Sequence, residues 1–379
     1  MAALPWDSIQ TLARGTTVTW RMWRGDPSIN RYVDDWVTPR LAACCGVTLR
    51  TAEGQGPDIL QQLRLEATAG APGTTDLVWI NGETFAALQR DSLLGGPWAH
   101  RVPAARYLDS SSVIIMRDFE RPTDGYELPW GRVQFALVYD SRRTPSPPRT
   151  VADLAEWIRA HPGRFTHDQG FTGTTWLKVV LYALNGGVRT FQGGFDATTW
   201  ETAGARLFTW LEALVPHFWR DGRAYPQSVA DLDRLFANGE VDFAMGNNHL
   251  GVATKVQRGT YPATARVLML TDGMIANTHY LGIPANATNP AGAMVVADLL
   301  LSPAAQYEKQ RVEVWADGTV LDLTTLPTEW QDRFAALADD PGSFPDSVAQ
   351  RLAVPEVAAE WHDRVVSEWR RRIRSRAGE

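Results

Sequence analysis

The sequence is poor in cysteine, with only Cys44 and Cys45, side by side, in 379 residues. A bond between chain neighbours is strained, so no structural disulfide is expected and a disulfide-stapled framework is excluded. Metal-binding spacings are missing too. The seven histidines form no CxxC, HExxH or clustered pattern, and zinc needs three or four ligands within reach, so no metal is expected and no cofactor motif is present. No apolar run approaches the ~20 residues that span a bilayer. Positive charge is also short: 37 Lys and Arg face 43 Asp and Glu, for a net charge of -6. Nucleic-acid binders gather basic residues over one face, so no nucleic-acid partner is expected. The one basic cluster, Arg370, Arg371, Arg372, Arg374 and Arg376, lies at the C-terminus, where cations offset a helix dipole and a solvated tail is the plain reading. Met1-Ala2-Ala3-Leu4-Pro5-Trp6 has neither the basic start nor the apolar run of a signal peptide.

What is present is material for two domains, since one domain takes ~100–200 residues. Residues 16–23 form an apolar, β-branched run that reads as a strand, broken by Arg24-Gly25-Asp26-Pro27. Helical spacing follows, with Ile29, Val33, Trp36, Val37 and Leu41 on one face and Asp26 or Ser28 as a cap. The grammar repeats: a strand at 47–49, a helix over 58–69, and a buried-type strand at 76–80. Such alternation predicts a mostly parallel sheet flanked by helices. Gly54-Gln55-Gly56 is followed by Pro57 and lacks the third glycine of a dinucleotide loop.

A strand at 133–140 runs into the Pro-rich stretch 144–150, read as a lobe boundary, and a second α/β unit spans roughly 164–271. Residues 274–284 are again strand-like, and a helix over 290–301 follows. From 328 to 376 the pattern is helical with short breaks, and Val357, Trp361, Val365, Trp369 and Ile373 recur every fourth residue along one stripe.

The order of these signals resembles the type II periplasmic-binding-protein fold, specifically the solute-binding proteins of thiamine, ferric-iron and polyamine ABC importers. Five stretches carry the likeness: Asp76-Leu77-Val78-Trp79-Ile80-Asn81-Gly82-Glu83; the crossing strand 133–140; Pro148-Arg149-Thr150-Val151-Ala152-Asp153-Leu154; Asn238-Gly239-Glu240-Val241-Asp242 with the residues to Asn248; and Leu281-Gly282-Ile283-Pro284 with Leu301-Ser302-Pro303-Ala304-Ala305-Gln306. Trp-Ile-Asn-Gly-Glu and Pro-Trp-Gly-Arg are similar to a thiamine-type branch. The resemblance implies an α/β fold of two lobes joined by two hinge strands, 133–140 and 274–284. Lobe 1 would hold residues 1–133 and 273–320, lobe 2 residues 134–272, with 321–379 a C-terminal helical segment packing on them. It further implies a monomer that is not an enzyme, works with an ABC permease and ATPase, and is periplasmic or extracellular and membrane-associated, its export signal absent from this sequence.

Ligands of open α/β sheets bind beyond the carboxyl ends of strands, so the loops there supply the candidates. In the first lobe these are Trp23 and Asp26, then Asn81, Gly82 and Glu83. In the second they are Asn247 and Asn248, with Asn277 in the returning strand. Each residue is equally a turn former or helix cap. Phe171 to Lys178 reads as a loop entering a helix, and its N–H groups with the hydroxyls of Thr172, Thr174 and Thr175 beside Gly173 suit an anionic group or a simple cap. The 16 tryptophans are mostly core, but Trp23, Trp79, Trp130 and Trp176 sit at strand ends or loops, and aromatic faces hold flat or cationic ligands. With Asp26, Glu83 and Asp242 they point to an organic cation or heteroaromatic solute such as thiamine or a polyamine. The same clamp around an anion or a sugar would use Arg21, Arg24 and the Thr172–Thr175 loop. A carbohydrate-active enzyme with Glu83 and Asp242 as acid and base is the remote alternative; no catalytic residue is assigned.

Overall fold

A computed structural model describes residues 4–337 and 346–375 of the chain, the side chains of 346 and 347 excepted. Among these residues, those within Met1–Arg132 and Thr278–Ala338 form one compact unit, and those within Val133–Asn277 and Asp339–Glu379 form another. The chain therefore passes between units at Arg132/Val133, at Asn277/Thr278, and a third time between residues 337 and 346.

The first unit is built on strands β1 (Thr17–Met22), β2 (Thr48–Glu53) and β3 (Leu77–Ile80), with β1 paired in parallel to both neighbours. Alternation decides which face of β1 is core: Val18, Trp20 and Met22 are buried. Short strands β4 (Arg117–Asp118) and β5 (Arg121–Pro122) make a hairpin. Strand β6 (Glu127–Gln134) leads out of the unit into β7 (Ala136–Asp140) of the second unit.

In the second unit β7 lies between β8 (Phe243–Gly246) and β9 (Ala265–Leu268), antiparallel to both. The expected strand–helix–strand unit is there, as β8, the Gly251–Gln257 helix and β9, but its two strands leave one position between them, which β7 fills from the opposite direction. This sheet is thus not mostly parallel. Strand β10 (Met274–Gly282) returns to the first unit, where Tyr280–Gly282 pair antiparallel with β3, and β6 pairs with it as well. Strand β11 (Ala353–Val354) pairs in parallel with Met274 and Ile275.

Local chemistry sets the helix starts. Asp26 caps Pro27–Arg31 by accepting the Ser28 N–H at 2.6 Å, and Thr150 with Asp153 forms a capping box ahead of Val151–Ala160. Two expectations are corrected. Cys44 and Cys45, ending the Thr38–Cys45 helix, are joined as a disulfide; the strain argument from neighbouring Cα atoms did not exclude it. The stretch 321–379 is not one segment: residues up to 337 belong with the first unit, and 346–375 with the second. No helix among the described residues is long and apolar enough to cross a membrane.

Candidate functional site

In the first unit, the loops after β1 and β3 leave adjacent parallel strands at their carboxyl ends, which brings Trp23 and Asp26 to the same sheet edge as Asn81, Gly82 and Glu83. Trp23 is among the few large exposed apolar side chains, at 36%. Asn81 stands at the N-cap of the Gly82–Arg90 helix without a side-chain cap bond, and Glu83 lies in its first turn. The N–H of Gly82 donates instead to Asp118 Oδ2 at 2.5 Å. A side chain at position 82 would collide with the Phe119 ring, so glycine is what lets the β4–β5 hairpin close on this helix end. Asp118 is buried, and so is Glu127, whose carboxyl is held well above its ordinary range by burial and then by the charge of Asp118.

Trp79 is half-buried and packs edge-on against Trp130 at 5.0 Å and His279 at 4.8 Å. Trp130 is different: it sits mid-strand in β6, fully buried against Trp20 and Trp315. Beside this aromatic group His279 Nε2 meets Asp317 Oδ1 at 3.0 Å and Lys309 Nζ meets Asp317 Oδ2 at 2.8 Å. Burial opposes ionisation of Asp317, yet Lys309 and His279 together hold its carboxyl below the usual range.

In the second unit the Phe171–Leu184 helix begins at Gly170 and already contains Thr172, Gly173, Thr174, Thr175 and Trp176, all of them buried. Thr174 and Thr175 donate their hydroxyls back to the carbonyls of Gly170 and Phe171, at 3.1 and 2.9 Å. Thr172 accepts from Asn247 Nδ2 at 2.9 Å, which joins two predicted loops. Asn248 is half-buried beside it. The helix start is served by Asp168, whose Oδ1 accepts the Gly170 N–H at 2.7 Å and whose charge the Gly173 N–H also favours. Burial nevertheless pushes the Asp168 carboxyl up to about 6. Gly173 lies so close to the Asp168 carbonyl that any Cβ there would overlap it.

The structure places several of the predicted residues differently from their sequence reading. Trp130 and Trp176 are core residues, 0% exposed, because mid-strand and helix positions turn them inward. Asp242 is not open to a ligand either, since Arg164 grips both of its oxygens at 2.5 and 2.9 Å. Arg24, proposed for an anion, is held by Asp34 at 2.6 Å, and Arg21 donates to the Glu53 carbonyl. The C-terminal arginines divide: Arg370 and Arg371 are exposed as expected, whereas Arg372 pairs with Glu212 at 2.9 Å and Arg374 bonds Gln169, and Arg376 lies outside the described residues. Asn277 is buried, 3.4 Å from Glu356 Oε1. Sequence reasoning missed Asp118, Asp168 and Glu356; of these only Asp168, two residues before a Gly-led helix start, had a local cap signature.

A family model described as "Bacterial extracellular solute-binding protein" matches residues 36–336. Protein YnjB of Escherichia coli strain K12 is 34% identical over 372 residues, covering 97% of this chain and 93% of that protein. Among solved structures, the TpPotD lipoprotein of Treponema pallidum superposes with a TM-score of 0.70 at 13% identity, covering 95% of this chain and 99% of its own. A periplasmic thiamin binding protein gives 0.64 at 16% identity, covering 94% and 96%. The periplasmic binding protein AfuA from Actinobacillus pleuropneumoniae, with exogenous fructose-6-phosphate bound, gives 0.65 at 11% identity, covering 94% and 98%. Likeness at such identities carries the fold and leaves the solute open.

Proposed function

Because the chain belongs to the bacterial extracellular solute-binding proteins, the solute receptors of ABC transporters, we propose that its own solute is an organic cation or cationic heteroaromatic of the thiamine or polyamine kind, bound by a monomer. The family acts outside the cytoplasm in transport, and solute capture needs no bond-making chemistry. One observation carries the choice of charge. Both helix starts that would offer N–H groups to an anion already receive a buried carboxylate of the chain, Asp118 at Gly82 and Asp168 at Gly170. An incoming phosphate or carboxylate would meet negative charge there, and Arg24 is engaged by Asp34. Trp23, exposed at the same sheet edge as Gly82, offers an aromatic face suited to a cation.

Isothermal titration calorimetry against thiamine, spermidine and choline, beside inorganic phosphate and fructose 6-phosphate, tests this. Saturable binding of a cation is expected, with affinity falling about tenfold in Trp23→Ala if a cation–π contact of ~1–2 kcal/mol is lost. Binding of a phosphate ester with silence from every cation would overturn the charge assignment and leave the receptor role intact.

A further inference from the structure

In the second unit, the helix that carries Thr172 to Trp176 also carries a buried ammonium. Phe171, Thr174 and Lys178 are spaced three, four and seven apart, which sets them on one helix face. Lys178 Nζ lies 5.6 Å from the centre of the Phe171 ring, and the same ring stacks on His362 at 5.8 Å. An uncompensated ammonium on this helix would repel a cationic solute held at the helix start. Here the charge is met by Glu356, whose Oε2 sits 2.6 Å from Lys178 Nζ and whose other oxygen is 3.4 Å from Asn277 Nδ2. Lys178 is 0% exposed and the Glu356 side chain 5%. Glu356 and His362 both come from the C-terminal segment, beyond the residues 36–336 that match the family pattern. Burial raises the Glu356 carboxyl and Lys178 draws it back. His362 is kept neutral, its imidazole lowered well below the ordinary range by burial and then by Lys178 and Arg370. The counter-charge to Lys178 is thus Glu356, 2.6 Å away, and a neutral His362 adds no positive charge beside it.

We propose that Glu356 is a positioning residue that sets charge selectivity: by neutralising Lys178 it lets the Phe171–Leu184 helix accept a cationic solute, and without it the same helix favours an anionic one. This rests on the organic-cation reading. A buried ion pair replaced as a whole by neutral residues is tolerated, whereas removal of one partner strands the other charge, and that asymmetry supplies the test.

Thiamine and thiamine monophosphate serve as probes in calorimetry on the full chain. Glu356→Gln is expected to weaken thiamine about tenfold or more while weakening the phosphate ester less, so that the ratio of the two affinities shifts toward the anion. Adding Lys178→Met to Glu356→Gln restores the wild-type ratio, a rescue that a merely structural role of Glu356 does not produce. Lys178→Met alone keeps the carboxylate and binds thiamine at least as tightly as the wild type; this arm decides the matter should Glu356→Gln fail to fold. An unchanged ratio in Glu356→Gln, a double variant as impaired as the single, or weaker thiamine binding in Lys178→Met overturns the inference alone. A wild type that takes up no cation overturns the reading beneath it.

Discussion

Each unit buries one lysine completely, and the two are neutralised in opposite ways. Lys309 of the first unit finds its partner eight residues along, at Asp317 Oδ2, and also donates to the carbonyls of Asp317 and Gly318 at 3.2 and 2.6 Å. Lys178 of the second unit depends on Glu356, 178 residues further along the chain. The first arrangement is a closed local knot whose carboxylate also orients His279 among the tryptophans. The second is a long-range contact to a segment that joins the second unit only after the chain has left the first. A buried charge is costly unless paired. The contrast therefore separates a structural pair, complete within one loop, from one whose presence depends on a distant segment.

The largest expected effect tests the local knot. Asp317→Ala leaves Lys309 without its counter-charge, and urea unfolding followed by tryptophan fluorescence should show a loss of about 4 kcal/mol. A loss below about 1 kcal/mol would mean that carbonyls alone satisfy the ammonium, and the contrast with Lys178 would collapse.

The next effect concerns a buried histidine of the second unit. His167 is pushed down to about 4 from 6.5 by burial, and its Nδ1 contacts the Asp168 carbonyl at 2.8 Å. Stability linked to a depressed histidine is complete above about pH 6.5 and is lost as pH falls toward 4, in all on the order of 3 kcal/mol. Asp168 works in the other direction: its raised carboxyl contributes stability below 3.8 that is lost as pH rises through about 6. Because Asp168 gains over the same window, the test is the difference: between pH 7 and pH 4 the unfolding free energy of the wild type should fall by about 3 kcal/mol more than that of His167→Asn. Parallel losses would assign the acid sensitivity elsewhere.

The smallest effect is expected where the C-terminal segment touches the second unit at its surface. Arg372 and Glu212 are 26% and 29% exposed, and solvent screening leaves such pairs little to contribute. Arg372→Ala should lower the unfolding midpoint by no more than ~1 kcal/mol equivalent. A greater loss would show that this segment is held by its rim as well as by Glu356.

Periodicity made the scaffold readable. The stripe Val357, Trp361, Val365, Trp369 and Ile373 is buried along its whole length, and Pro290–Leu301 is a helix with the predicted bounds. Local patterns encode faces and caps, and they served here. They do not encode which distant residue comes to a helix start. Asp118 lies 36 residues from Gly82, on a hairpin with no strong strand pattern of its own, so the carboxylate at Gly82 had no signal. The sequence puts Trp130 and Trp176 at strand ends or loops; the strand and the helix run on through both positions and carry the indoles inward. The position of β7 was hidden for a related reason, since strand–helix–strand grammar fixes which strands run the same way and says nothing about an intruder between them.

Strand β3 has a further consequence, for timing. Ile80 pairs with Tyr280, so the strand that extends the sheet beyond β3 is synthesised some two hundred residues after it. Closing so large a loop is slow. The first unit's sheet therefore cannot be completed until most of the polypeptide exists, so its last pairing is a late event of folding.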